Sequence, residues 1–210
     1  MPHNICDAPV FENPLLDDKT VVGPSWLKDY KMKRVRVVAE TGYILHNATN
    51  IDRVPLESDW GMLEHKNRLC MKGTPLTVAF IGECRAHDVD TSEDRVPLLH
   101  VTVDLMRDCD KEGWYSLTSK FAPWKPVDIA SITAFRKLRA IAPVLPPVLD
   151  GTRISIPNAM PRSDWDHVRC GDILLLECTF KRSMLESMWT ARFVIERATI
   201  IAKRPSAVPV

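Results

Sequence analysis

The chain has 210 residues, of which 45% are hydrophobic and 26% charged, and its formal net charge is +1. That balance excludes wholesale disorder, a coiled coil and a collagen-like chain, and the length suffices for one large domain or two small ones that bury roughly 70% of the unfolded surface. A charge so near zero gives no global attraction to nucleic acid or anionic lipid, so any such affinity has to come from local clustering.

Charge is unevenly spread along the chain. Residues 1–18 hold Asp7, Glu12, Asp17 and Asp18 and no lysine or arginine, whereas residues 181–204 hold six basic residues against Glu186 and Glu196. Residues 83–112 lean the other way, with nine acids and four basic residues. The six cysteines, Cys6, Cys70, Cys84, Cys109, Cys170 and Cys178, are scattered, and Cys84 and Cys178 sit inside apolar runs that suit small buried hydrophobes. The start Met-Pro-His-Asn-Ile-Cys has neither a basic stretch nor an apolar one, and no segment reaches the ~18 apolar residues of a membrane span. Reduced thiols, no membrane and a nuclear or cytoplasmic address are therefore expected.

Prolines 2, 9, 14 and 24 break any period over the first 32 residues, which read as an extended N-terminal arm. Arg34-Val35-Arg36-Val37-Val38-Ala39 alternates charge with aliphatics and predicts a first strand with arginines on its wet face. Residues 51–71 read as a long connection containing a short helix. Thr74 to Arg85 and Val96 to Met106 predict a hairpin joined by the acidic turn Asp88 to Asp94, with Leu99, Val101, Val103 and Leu105 inward and His100, Thr102 and Asp104 outward. Asp128 to Ile141 carries Ile129, Ile132, Phe135, Leu138 and Ile141 at helical spacing and predicts one amphipathic helix, ended by Pro143, Pro146 and Pro147. Ile173 to Phe180 and Met188 to Lys203, separated by the polar stretch Lys181 to Ser187, predict a last hairpin. One domain over residues 33–204, with a short tail at 205–210, follows.

Strand, strand, strand, helix, strand, strand is the order of an OB-fold. Gly171 to Arg182 (GDILLLECTFKR) and Trp189 to Ile201 (WTARFVIERATII) resemble the last two strands of single-strand-binding OB domains of the replication protein A type. The resemblance is sharpest in that hairpin and rests elsewhere on element order. It implies a mainly β, OB-like five-stranded Greek-key barrel with one helix between its third and fourth strands, an N-terminal arm and long loops. The implied partner is single-stranded DNA or RNA.

A single-strand groove needs cations along the phosphates and aromatic faces for the bases. Arg34, Arg36, Lys181, Arg182 and Arg192 are the expected phosphate contacts, and Trp189 is the expected stacking residue, with Trp114 or Tyr115 second. The middle strands depart from the family pattern, because Phe80 shares its face with Leu76 and Val78 and reads as core. A protein-interaction or scaffold domain, using the acidic turn and the proline-rich arm, is the alternative. An enzyme is not expected. Arg162 to Cys170 contains Asp164, Asp166 and His167 but matches no recognised catalytic or zinc spacing, Asp88 to Asp94 lacks the order of a calcium loop, and no phosphate-binding, dinucleotide or nucleophile-elbow motif occurs. No cofactor or metal is expected.

Overall fold

The structure is a computed structural model that describes residues 10–11, 21–41, 48–90, 96–122, 128–139, 144–153, 159–185 and 188–206. In chain order the elements are β1 (Val10–Phe11), β2 (Val21–Val22), α1 (Asp29–Thr41), β3 (Ala48–Asn50), β4 (Asp59–Trp60), β5 (Leu69–Met71), β6 (Thr74–Pro75), β7 (Thr77–Asp90), β8 (Leu98–Leu105), α2 (Asp108–Phe121), β9 (Ser131–Lys137), β10 (Val148–Asp150), β11 (Arg162–Ser163), β12 (Ile173–Leu185) and β13 (Met188–Ala202). The protein is mainly β.

Period-2 alternation is strongest in the two expected hairpins, and both form. β7 pairs antiparallel with β8, and β12 with β13 along nearly their whole length. β8 buries Leu99, Val101, Val103 and Leu105 and turns His100, Thr102 and Asp104 outward, as its alternation requires. β12 also pairs antiparallel with β7, joining the hairpins. β9 then runs antiparallel to β8 and parallel to β13, with Phe193 opposite Ala134 and Val194 opposite Phe135. Pairing therefore runs β7, β8, β9, β13, β12 and back to β7, a barrel-like ring. Register shifts at Cys84/Ala86 and Glu177/Cys178 bend the long strands far enough to close it.

The ring encloses a core that includes Phe80, Phe180 and Phe193, whose rings lie 4.9–5.0 Å apart in successive pairs. Cys84 and Cys178 are fully buried there, and burial pushes the Cys84 thiol up to about 12. α2 and Trp60 close one end: Trp114 lies 5.4 Å from Phe193, and Trp60 stacks on Phe180 at 5.9 Å. A second core lies outside the ring, where Met32, Val35, Val38 and Ala39 of α1 cover Ile81, Leu175 and Ile201.

Two sequence expectations are overturned. Residues 33–39 form part of α1, not a strand. Met32, Val35 and Ala39 are buried at helical spacing while Val37 stays 57% exposed, so the Arg-Val alternation is carried by a helix whose apolar stripe lies on the sheet. The arm expected over residues 1–32 consequently ends inside α1, and Val21 and Leu27 belong to the second core.

Conversely, the helix expected over Asp128 to Ile141 is β9 across Ser131–Lys137. Ile132 and Ala134 point in, Ile129 is 47% exposed, and the open edges of β8 and β13 supply the hydrogen bonds that a seven-residue strand needs. The long helix α2 lies instead between β8 and β9. The segment from β9 to β12 carries β10, β11 and a short 3-10 turn at Trp165–His167 among its described residues.

Candidate functional site

Across the outer surface of β8, β9 and β13, registered pairing sets side chains in rows. His100 stands opposite Phe135, and Phe135 opposite Val194. The His100 and Phe135 rings meet nearly at right angles with centroids 4.9 Å apart. In neighbouring rows, Thr102 and Thr133 share a 2.9 Å hydrogen bond, and Lys137 lies opposite Leu98.

A cleft of about 500 Å³ lies over this face. Leu98, Phe135 and Val194 give it an apolar floor, and Arg68, Arg136, Lys137, Lys181, Arg182 and Arg192 line it with six cations. Among the described residues, Glu196 is the one carboxylate in the lining. Its Oε2 accepts from Arg136 Nη1 at 2.8 Å, its Oε1 accepts from Thr179 Oγ1 at 2.8 Å, and Lys181 Nζ is 3.9 Å from Oε1. Arg192 donates to Ser183 Oγ at 3.0 Å. Burial pushes Lys181 below the usual lysine range; Glu196 pulls it back, while Arg68 and Arg136 push it further down. Crowded cations of this kind are stabilised by an arriving anion.

One wall comes from the small sheet of β4, β5 and β6. It docks on the β12–β13 hairpin through an Arg68–Lys181 backbone bridge and an Arg182 amide that donates to Asn67 O at 3.0 Å. Lys181 and Arg182, being adjacent on a strand, point to opposite sides. Lys181 pairs in register with Arg192, whereas the Arg182 guanidinium lies 5.0 Å from the centre of the Trp60 ring and donates to Lys66 O at 3.1 Å. Arg182 thus fixes the wall as well as bordering the cleft.

Of the residues expected from sequence, Lys181, Arg182 and Arg192 come together here. Arg34 and Arg36 do not. They ride on α1 over the second core, where Arg34 donates to the carbonyls of Thr152 and Arg153 and Arg36 pairs with Glu40 at 2.8 Å. The strand that was to aim them at the groove is a helix on another face. Trp189 pairs through its backbone with Met184, but its side chain lies outside the described residues. Trp114 packs on the barrel core and donates to Asp128 O at 3.1 Å, while Tyr115 is 60% exposed on α2. Phe80 is core, as its shared face requires.

Sequence reasoning missed Arg68, Arg136, Lys137 and Phe135. For Phe135 and Lys137 the usable signal was the outward row of β9, legible only once residues 131–137 are seen as a strand; Arg136, opposite the buried Leu99, and Arg68, outside β9, carried no such signal.

Other clusters converge less. Asp164, Asp166 and His167 are all exposed around the 3-10 turn, and the nearest partner of the imidazole is Ser163 Oγ at 3.5 Å. Asp52, Cys109 and Asp110 lie close enough to hold a cation, but the Arg107 guanidinium already occupies both carboxylates. Asp88 and Asp90 belong to β7, and residues 91–95 of the expected acidic turn lie outside the described residues. No described helix is long and apolar enough to cross a membrane.

Family models, curated proteins and solved structures were all compared with this chain. None matches.

Proposed function

We propose that the protein is a binding module for single-stranded nucleic acid, built on an OB-like barrel. The ring order β7, β8, β9, β13, β12, with its single parallel closure, supports a Greek-key barrel of that kind. The observation that carries the reading is the cleft itself: six cations surround an apolar floor with an aromatic ring in it, on the strand face and hairpin base where OB-like barrels take oligonucleotides.

In this reading Lys137, Lys181, Arg192 and Arg68 hold backbone phosphates while a base lies on Phe135, a stack worth about 1–3 kcal/mol. DNA and RNA share that chemistry. Reversing two cations, Lys137→Glu with Arg192→Glu, leaves the buried core untouched and removes two phosphate contacts. Fluorescence anisotropy with a short single strand should show binding at least ~10-fold weaker and a salt slope shallower by about 1.4, at about 0.7 per lost contact. Unchanged affinity in a folded variant would overturn the assignment.

A protein partner is the second reading, favoured by Leu56, Met62 and Leu63, which are 78–88% exposed. Such binding would be indifferent to added oligonucleotide.

A further inference from the structure

We infer that Glu196 reads the edge of a base, so that the cleft takes strands whose bases carry an exocyclic amino group, cytosine above all, in preference to thymine or uracil. This rests on the single-strand reading and adds a specificity to it.

A carboxylate in the lining of a phosphate-binding cleft repels the phosphates that its neighbours attract. A bound strand therefore has to run its backbone along the other cations and place something else over Glu196. What the carboxylate can accept is an N–H donor.

It has the capacity to do so. Each carboxylate oxygen offers about two acceptor sites; Arg136 takes one on Oε2 and Thr179 one on Oε1. Lys181, at 3.9 Å, is beyond hydrogen-bond distance. The Glu196 side chain is 36% exposed and lines the cleft, so it is open to a ligand there.

The position also fits. Val194 neighbours Phe135 across the parallel β9–β13 pairing, and Glu196, the extra residue of the β13 bulge facing Glu177 and Cys178, follows two residues on and lines the same cleft. A base seated on Phe135 and Val194 brings its edge to Glu196. Cytosine presents N4–H₂ there, whereas thymine and uracil present O4, an acceptor facing an acceptor. In a single strand these edges are not used up by pairing. A good bidentate side-chain–base pair discriminates by about 5- to 150-fold, and a single amino-to-carboxylate hydrogen bond falls toward the lower end of that range.

The experiment is an anisotropy titration of the whole chain with oligo-dC and oligo-dT of equal length, at one salt concentration and slightly alkaline pH. Wild type should bind oligo-dC at least ~5-fold more tightly. Glu196→Gln retains a carbonyl oxygen for Thr179 or Arg136, loses the charge and gains a donor for O4. It should bind both strands more tightly and bring their ratio to within about twofold. A merely structural Glu196 would shift both affinities together and keep the ratio.

Independently of any variant, oligo-dC dimethylated at N4 should bind wild type like oligo-dT. Equal tight binding of oligo-dC and oligo-dT by wild type would overturn the inference and leave the single-strand reading standing. Persistence of the ratio in Glu196→Gln would likewise overturn it. Binding of neither strand would refute the single-strand reading itself.

Discussion

Removing the Asp110 carboxylate should destabilise the protein far more than removing its neighbour Asp108, although both lie in the first turn of α2. Asp110 is fully buried and Arg107 is 1% exposed. Arg107 Nε donates to Asp110 Oδ2 at 2.8 Å, a second bond joins Nη2 to Oδ1, and Asp52 Oδ1 is 3.4 Å from Nη2. Burial opposes the guanidinium's charge, and Asp110, with smaller contributions from Cys109 and Asp52, more than offsets it, holding Arg107 above its ordinary range. Asp110→Ala leaves that cation in the interior with only the longer Asp52 contact. Breaking a buried pair from one side costs about 3–5 kcal/mol, which for a chain of this size is a fall in Tm of about 6–20 °C at about 2–4 °C per kcal/mol. Asp108→Ala removes a pair with Lys111 whose carboxylate is 72% exposed, and should cost about 1 kcal/mol or less. Thermal melts followed by circular dichroism at neutral pH compare the two. If they melt within about 2 °C of each other, Arg107 is not the buried post on which α2 is set.

Gly113→Ala should also destabilise, against the gain of about 1 kcal/mol that alanine brings to a helix interior, because an added Cβ would lie 2.5 Å from Ile51 O. Chemical denaturation reads the sign, and a stabilised variant would refute the close packing of α2 on residues 51–53. Glu83 is held above the usual carboxylate range by burial, with Arg204 lowering and Asp104 raising it. Its ionised form is therefore penalised in the folded state, so stability is lost as pH rises from the unfolded carboxylate range through the folded one. Glu83→Gln should raise Tm at neutral pH and leave it unchanged below the unfolded range; a pH-independent difference would show that charge burial is not the cause.

The long hairpins were legible because alternation repeated over many residues fixes both the period and the face, as in Leu99 to Leu105. The shorter elements were not. In Arg34 to Ala39 and in Ser131 to Lys137, the same few aliphatics satisfy either period, and the choice is made by partners distant in the chain. α1 finds Ile81, Leu175 and Ile201, and β9 finds β8 and β13. α2 begins at the end of the acidic stretch and shows no clear apolar stripe, for only Asp110, Leu117 and Thr118 of it are buried. The candidate site follows the same logic. Lys181 and Arg192 were readable because one hairpin places them opposite each other, whereas Arg68, Arg136 and Lys137 reach them only through nonlocal pairing.

Single-strand binding at the cleft over β8, β9 and β13 is tested most directly by titrating the protein with a short labelled oligonucleotide at salt concentrations from about 50 to about 200 mM. Four phosphate contacts predict that log affinity falls against log salt with a slope of about −2.8, at about −0.7 per phosphate. Absence of binding at the lowest salt, or an affinity that does not change with salt, would contradict it.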